Sequence, residues 1–341
     1  MIRRAVLLVG LLALLAGCGS TQEVREPTLV VRGPEAEPTR APVNAARPGD
    51  QVRIAIVTHG QASDPFWLTV RRGIEDASRQ LDVSIDYRAP DTFNLERMRR
   101  LIDRAVDEKP DGIVVTIPDA RVLGRSIRRA VQAGIPVVSM NSGSDSFKRL
   151  GVLAHVGQTE ERAGRLAGER MAQEGVRDAL CVNQEVGNQA LDERCRAFGA
   201  ALRAAGGRSK VLEIQLQDPA GAQRRVAEAV AAGGIDGIMA LGPGSASPAL
   251  NALRAGGLTN KVKLATFDLS PEVLSAVKAG QILFAIDQQP YLQGYLPVMM
   301  LAQNKRFGLF PDQGEVVFTG PHFVTKDTAD KALALSRRGI R

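Results

Sequence analysis

The sequence predicts an α/β protein built from two Rossmann-like lobes, each a doubly wound parallel sheet, and three observations support this. Short apolar runs that suit buried parallel strands alternate with helix-start signals from residue 52 onward. The alternation restarts after residue 173, so the chain contains it twice. Asp111-Gly112-Ile113 and Asp236-Gly237-Ile238 each begin a strand, and their spacing of about 125 residues indicates a duplicated domain. Repeated β-α-β crossovers are nearly always right-handed, which favours doubly wound layers.

Length and composition agree with a two-domain globular protein. The 341 residues are 44% hydrophobic, and the formal net charge is +7. The arginines recur at helical spacings that fit solvated helix faces, and there is no ladder of basic and aromatic residues to follow a phosphate backbone. We therefore expect no nucleic-acid partner.

The N-terminus has the features of a secretion signal. Arg3 and Arg4 precede an apolar run, 5–16, that is too short for a resident membrane helix, so residues 1–17 are predicted to be a signal peptide. Leu15-Ala16-Gly17-Cys18 resembles the lipobox of bacterial lipoproteins, which predicts lipidation of Cys18. The alternative is an ordinary cysteine in the signal core. The proline-rich remainder of 18–50 is interpreted as a flexible tether.

The first half begins with a strand from Val52 that stops before Gly60. Asp64 before Pro65 is a helix start, because the carboxylate accepts a backbone N–H of the first turn and proline has none to leave unpaired. Asn94 and Thr159 are predicted caps of later helices. The elements that follow the first strand are predicted as helix 66–80, strand 83–87, helix 94–107, strand 113–116, helix 122–133, strands 137–140 and 154–157, and a helix ending at 173.

The second half repeats the pattern. Helices are predicted at 189–205 and 291–301, and others open at Asp218-Pro219, Ser247-Pro248 and Ser270-Pro271. Gly242-Pro243-Gly244-Ser245 is interpreted as a turn. Strands are predicted at 179–182, 211–216, 238–241, 264–267, 283–287, 316–318 and 322–324.

Catalytic and metal motifs are missing from the sequence. There is no G-x-S-x-G elbow, no G-x-x-x-x-G-K-[ST] phosphate loop and no G-x-G-x-x-G fingerprint. His59, His155 and His322 are the only histidines, each isolated, and no cysteine or histidine pair has the short spacing of a zinc site. We expect no enzyme activity, no metal and no cofactor.

Cys181 and Cys195 lie on a predicted strand and on the inward face of the following helix. In an extracytoplasmic compartment they can form a disulfide, which would brace the loop at Asn188. Two buried free cysteines are the alternative.

Several predicted strands end in hydrogen-bonding residues, and in open α/β sheets ligands bind at the carboxyl ends of strands. Carboxylates and amides suit hydroxyl-rich ligands, and an aromatic ring covers the C–H face of a sugar. Plainer roles stay open: Asp64 as a helix cap only, Asp119 and Asp268 as turn residues, and one of Phe66 and Trp67 in the core. The candidate ligand-binding residues are Asp64, Phe66, Trp67, Asp119, Asn141, Asn188, Asp268 and Gln288.

From Val52 to Val324 the chain resembles the type I periplasmic sugar-binding proteins of ABC transporters, the ribose- and galactose-binding family, whose fold recurs in LacI-type repressor sensor domains. The resemblance rests on the aromatic pair after Asp64-Pro65, on 134–138 (GIPVV), on Thr266-Phe267-Asp268 and on 286–290 (IDQQP). It implies that Asp64, Phe66 and Trp67 grip and stack on the sugar from one lobe. It also implies that Asp268 and Gln288 bind hydroxyls from the other lobe and the hinge.

Two departures bear on the ligand. Asn141-Ser142 stands where ribose binders carry Asp-Arg, and Gly242-Pro243 where they carry Asn-Asp. Ribose is therefore not expected, since each lost charge-assisted bond of roughly 1.5 to 3 kcal/mol would need replacement.

The resemblance implies an extracytoplasmic solute-binding lipoprotein of the cell membrane. It would be a monomer that closes on a sugar or polyol and delivers it to an ABC importer with separate permease and ATPase subunits. The expected lobes are 51–157 plus 289–319 and 158–288 plus 320–341, with crossings near Gln158, Gln288 and Gly320. The alternatives are a receptor that presents a sugar or furanosyl signal to a sensor, and a secreted α/β hydrolase.

Overall fold

The computed structural model describes residues 51–60 and 64–341. The predicted signal peptide 1–17, the lipidation site Cys18 and the tether 18–50 lie outside the described residues.

The N-terminal lobe is built around a parallel six-stranded sheet. Its strands are β1 (Val52–Val57), β2 (Val83–Arg88), β3 (Gly112–Val115), β4 (Val137–Asn141), β5 (Ala154–Gly157) and β11 (Glu315–Phe318). Their order across the sheet is β11-β5-β4-β3-β1-β2. The four inner strands β5, β4, β3 and β1 are almost fully buried, as the apolar runs predicted for a sheet covered on both faces.

The C-terminal lobe repeats this arrangement around a second six-stranded sheet. Its strands are β6 (Asp178–Asn183), β7 (Arg208–Glu213), β8 (Gly237–Ala240), β9 (Lys263–Phe267), β10 (Ala285–Asp287) and β12 (His322–Val324). The order is β12-β10-β9-β8-β6-β7, and β12 alone is antiparallel to its neighbour. The predicted fold class, two doubly wound α/β lobes, is confirmed.

Helices cover the faces of both sheets. The N-terminal lobe carries α1 (Pro65–Leu81), α2 (Leu95–Asp107), α3 (Ala120–Gln132) and α9 (Pro290–Phe307). The C-terminal lobe carries α4 (Glu160–Gln173), α5 (Gln189–Ala204), α6 (Pro219–Ala231), α7 (Pro243–Ala255), α8 (Pro271–Lys278) and α10 (Ala329–Ser336). No helix in the described part of the chain has both the length and the apolar character needed to cross a bilayer.

Three sequence interpretations were wrong in the C-terminal lobe. Gly242–Ser245 is not a free-standing turn, because Pro243 begins α7, and Pro248 lies inside that helix instead of opening it. Proline's fixed φ and missing N–H suit the first helical position, so the earlier proline sets the start. β7 begins at Arg208, upstream of the predicted 211–216, because this exposed edge strand has only a weak apolar pattern.

Each sheet is fastened at the end away from the cleft by an aspartate. Asp111 Oδ2 accepts the backbone N–H of Arg53 at 2.8 Å, which joins the segment before β3 to β1. In the other lobe Asp236 accepts the backbone N–H groups of Arg177 at 3.0 Å and Asp178 at 2.8 Å, which joins the segment before β8 to β6. These are the two Asp-Gly-Ile repeats of the sequence, so the internal duplication has a structural counterpart.

Glycines allow one pair of helices in each lobe to pack with their backbones nearly touching. A Cβ on Gly294 of α9 would lie 2.1 Å from the Val70 carbonyl oxygen of α1. A Cβ on Gly164 of α4 would lie 2.3 Å from the Arg194 carbonyl oxygen of α5. Only glycine fits at these contacts. The close approach in the C-terminal lobe brings the side chains of α4 and α5 together beside the cleft.

The cysteine pair is bonded in the structure. Cys181 of β6 and Cys195 of α5 form a disulfide with their Cα atoms 5.7 Å apart. The bond fixes α5 to the central strand of its sheet, and α5 supplies cleft residues.

Candidate functional site

The candidate site is a cavity between the lobes, at the carboxyl ends of the central strands. Its volume is about 40 Å³. Six of the eight candidates that the sequence proposed and that form this wall, together with Phe66, are placed by the structure around one space. The lining residues are His59, Asp64, Phe66, Trp67, Asn141, Gln184, Glu185, Asn188, Ala190, Leu191, Arg194, Leu241, Asp268 and Gln288.

The N-terminal lobe supplies an aromatic wall. Trp67 lies edge-on to His59, with ring centroids 4.9 Å apart, and to Phe66 at 5.1 Å. A Cβ on Gly60 would lie 2.0 Å from the indole, so a glycine is needed for the ring to lie against the end of β1. Both Phe66 and Trp67 also pack in the core of this lobe, so the core role and the cleft role foreseen as alternatives are combined.

Asp64 has both of the roles that the sequence left open. It is the N-cap of α1, with Oδ1 accepting the Phe66 N–H at 2.9 Å, and it lines the cavity. Burial raises the pKa of its carboxyl, and the hydrogen bond from Phe66 acts against that rise.

The C-terminal lobe supplies a polar wall that begins after β6. Asn188 caps α5 by accepting the Ala190 N–H at 3.0 Å, and its amide donates to Glu185 Oε2 at 2.7 Å. Glu185 also faces His59 of the other lobe, with 3.7 Å between Oε2 and Nε2. Burial raises the pKa of Glu185 to about 7, and the nearby Asp64 adds to the rise.

Asp268 and Gln288 extend this wall. Gln288 Nε2 donates to Asp268 Oδ1 at 2.5 Å. Gln288 Oε1 is buried and accepts no hydrogen bond from the described residues. Burial raises the pKa of Asp268 to about 8, although Arg194 and Gln288 favour its charged form. The Asp268 backbone lies in the left-handed region, with φ of 63°, a conformation that is uncommon outside glycine and concentrates at functional sites.

Arg194 is the main site residue that the sequence reasoning missed. Its side chain is 3% exposed, its Nε donates to Glu160 Oε2 at 2.6 Å, and its guanidinium lies 4.3 Å from the centroid of the Phe267 ring. The signal was present: positions 191, 194 and 198 share the inward face of α5, and an arginine on an apolar face is unusual. His59, Gln184 and Glu185 were also missed as lining residues, because isolated polar residues after a strand carry no distinctive spacing.

Asp119 is not brought to the cavity. Its carboxylate accepts the backbone N–H of Arg121 at 2.7 Å and the Arg121 guanidinium at 2.9 Å, so it caps α3. The adjacent Pro118 instead forms a contact between the lobes, since its carbonyl accepts the Gln189 N–H at 2.9 Å. Asp119 therefore takes the turn role that was its alternative.

Asn141 links the cavity to a chain crossing. Its Nδ2 donates to Gln293 Oε1 at 3.3 Å, and Gln293 Nε2 donates to the Gln288 carbonyl at 3.1 Å. The side chain that faces the cavity is therefore hydrogen-bonded to the segment where the chain passes from β10 to α9.

The cavity is smaller than a sugar ring. A volume of about 40 Å³ is close to the roughly 30 Å³ that one water molecule occupies in the liquid. Binding of a six-membered ring therefore requires the lobes to separate or Trp67 to move. A hollow of about 500 Å³ lies at the far end of the N-terminal lobe, beside Ala133 and Asn304, but it lacks the convergent buried polar groups of the cleft. Within the described residues no three His, Cys, Asp or Glu side chains are placed to hold a metal ion.

Comparison with known proteins agrees with this geometry. Residues 54–307 match the model of the periplasmic binding protein domain. A carbohydrate transporter from Acidothermus cellulolyticus 11B, solved in complex with myo-inositol, is 35% identical, with a TM-score of 0.80 over 86% of this chain and 100% of that one.

Curated relatives give the same family. A xylose/arabinose-binding protein, XylF, from Sulfolobus acidocaldarius is 23% identical, with 84% of this chain and 74% of that protein aligned. A D-ribose/D-allose-binding protein from Pseudomonas aeruginosa is 28% identical over 72% of this chain and 79% of that protein. The two-lobed fold, the site between the lobes and these matches together show that the chain belongs to the periplasmic binding protein family.

Proposed function

We propose that this protein is a sugar-binding protein of an ABC transporter and that its ligand is a cyclic polyol or a sugar of similar size. The observation that carries the proposal is the pairing of two unlike walls. An aromatic face from α1 stands opposite buried carboxylates and amides of the C-terminal lobe. The 35% identity to a protein solved with myo-inositol supports a cyclic polyol.

The proposed contacts follow from the chemistry of the walls. Trp67 and Phe66 cover the C–H face of the ring, because an aromatic face is apolar and matches that surface. Asp64, Asn188, Asp268 and Gln288 take hydroxyl groups at the ring edge, since carboxylate and amide oxygens each accept O–H donors. Arg194 and Asn141 donate to hydroxyl oxygens. Asp119 is left out of this set because it caps α3.

Hinge closure is the proposed mechanism. The proposed lobes are 51–157 plus 289–319 and 158–288 plus 320–341, and the chain crosses near Gln158, Gln288 and Gly320. Because the ligand touches both walls only when the lobes are shut, binding shifts the population toward the closed form. The permease and ATPase subunits would recognise and use that form.

Anchoring through a lipid on Cys18 is also part of the proposal and rests on the sequence alone. The lipobox-like residues before Cys18 and the proline-rich stretch that follows support a body held near the outer face of the membrane.

A ligand screen by thermal shift tests the proposed function. We expect myo-inositol or a related polyol, at about 100 times its dissociation constant, to raise the free energy of unfolding by roughly 2.7 kcal/mol. The Trp67→Ala variant should lose that shift. The Phe307→Ala variant should keep it, because Phe307 is an exposed aromatic residue at the end of α9.

The screen also has an outcome that contradicts the proposal. If no polyol, pentose or hexose shifts the transition at millimolar concentration, the cleft does not bind this class of ligand.

A further inference from the structure

The polar atoms left free around the cavity are predominantly hydrogen-bond acceptors. Among the described residues, no group donates to Gln288 Oε1, which is buried. Asp64, Glu185 and Asp268 each accept one hydrogen bond through one oxygen, and no described group donates to the other. The cleft therefore favours a ligand with more donors than acceptors.

The donors in the wall are already engaged. Asn188 Nδ2 donates to Glu185, and Gln288 Nε2 donates to Asp268. Asn141 Nδ2 donates to Gln293 at 3.3 Å. A hydroxyl group donates one hydrogen and accepts others, whereas an ammonium donates three and accepts none.

Charge points the same way. Asp64, Glu185 and Asp268 line the cavity, and Arg194 is the only arginine or lysine among its lining residues. That guanidinium is bonded to the buried carboxylate of Glu160. His59 adds no positive charge, because burial lowers its pKa to about 3. Asp287, also near Asp268, is itself paired with Arg341 at 2.5 Å. The wall thus has more acidic groups than cations to balance them.

We infer that the preferred ligand is a polyol ring that carries a protonated amine, with the ammonium held by Glu185, Asp268 and the free oxygen of Gln288. This deepens the proposed function and rests on it. A buried carboxylate without a counter-ion is costly, so a cationic ligand gains from both charge pairing and hydrogen bonds. A neutral polyol gains only the hydrogen bonds.

Proton exchange separates the two ligand classes. In the free protein Glu185 and Asp268 hold protons near neutral pH, because burial raises their pKa values to about 7 and about 8. An ammonium stabilises the ionised carboxylates, so its binding releases protons. A neutral polyol provides no such stabilisation.

The test is isothermal titration calorimetry with two ring-matched probes, myo-inositol and an inositol in which one hydroxyl is replaced by an amine. We expect the amine to bind at least ten-fold more tightly at pH 7.5. Its binding should release between one half and two protons, measured from the dependence of the heat on the buffer's ionisation enthalpy. Its affinity should rise between pH 6 and pH 8, as the carboxyls ionise more readily.

Variants locate the effect. Glu185→Gln and Asp268→Asn should bring the ratio of the two affinities toward one. Glu315→Gln, which removes an exposed carboxylate on β11, should leave that ratio unchanged. The ratio is measured within each folded variant, so a general loss of affinity does not imitate the result.

The outcomes also separate this inference from the proposed function. If myo-inositol binds and the amine binds equally or more weakly, the inference is overturned and the proposed function stands. If neither probe nor any other polyol or sugar binds, both are overturned. If the amine binds more tightly without proton release, the ammonium does not contact the two carboxyls and the assignment fails.

Discussion

The same strand in each lobe ends at the cleft in the same uncommon conformation. Asn141 closes β4 with a φ of 64°, and Asp268 follows β9 with a φ of 63°. β4 and β9 occupy the same place in their sheets, between β5 and β3 in one and between β10 and β8 in the other. Left-handed non-glycine residues are uncommon, so two at equivalent cleft positions show that the duplicated scaffold keeps its ligand-facing geometry in both halves.

The lobes differ in the chemistry that this shared scaffold carries. The buried titratable groups of the N-terminal lobe include His59 and His155, each held neutral because burial lowers its pKa to about 3. The C-terminal lobe buries Glu185 and Asp268 together with the Arg194–Glu160 ion pair. One lobe is an aromatic jaw and the other a charged jaw. The scaffold therefore sets where groups stand, and single side chains set what each lobe recognises.

The largest expected effect of breaking this difference comes from Arg194→Met. It leaves Glu160 buried without its counter-ion, and it should lower the free energy of unfolding by about 3 to 5 kcal/mol in urea denaturation. The double variant Arg194→Met with Glu160→Gln should recover most of the loss. Arg165→Met removes an exposed ion-paired arginine of α4 and should cost less than about 1 kcal/mol. A single-variant loss as small as that of Arg165→Met would contradict the buried-pair account.

The helix pairs test whether the two scaffolds are equivalent. Gly294→Ala and Gly164→Ala each place a methyl group against a carbonyl oxygen of the partner helix, at 2.1 and 2.3 Å before relaxation. Each should lower the free energy of unfolding by about 1 to 3 kcal/mol, because the backbones must move apart. Similar losses in urea denaturation would support equivalent packing. Gly134→Ala is not a suitable control, since its φ is positive, whereas Ala232→Ser at an exposed site should be nearly neutral.

The pH dependence of stability separates the jaws with the smallest effect. Unfolded carboxyls lose their protons near pH 4, whereas Glu185 and Asp268 keep theirs in the fold up to about pH 7 and about pH 8. The folded state then binds more protons, so the free energy of unfolding falls as the pH rises across this range. His59 and His155 have folded pKa values of about 3 against 6.5 in the unfolded chain, so they lower stability as the pH falls below 6.5.

The two contributions offset one another between about pH 4 and 6.5, which leaves a decline in stability from pH 6.5 to 8. Its size should be roughly 1 to 2 kcal/mol, measured by denaturation of the ligand-free protein. Asp268→Asn should flatten the decline. His155→Gln should leave it unchanged above pH 6.5, because that histidine is neutral there in both states. A wild-type profile that is level up to pH 8 would contradict the protonated carboxyls of the charged jaw.

The sequence by itself determined the scaffold. Apolar runs, cap residues such as Asp64 and Asn188, and the repeated Asp-Gly-Ile segments are local signals, and they predicted two doubly wound lobes because strand and helix periods depend on near neighbours. Local signals were weaker where two choices competed, as at Pro243 and Pro248, and in the exposed edge strand β7.

Only the tertiary structure decided which polar residues share the cleft. Glu160 and Arg194 are 34 residues apart, and they meet because Gly164 lets α4 approach α5. Asp119 and Asp268 look alike in sequence, each a carboxylate after a strand, yet one caps α3 and the other faces the cavity. The physical reason is that burial and charge pairing, which set the pKa values and the free acceptors of the site, arise from long-range packing that no local spacing encodes.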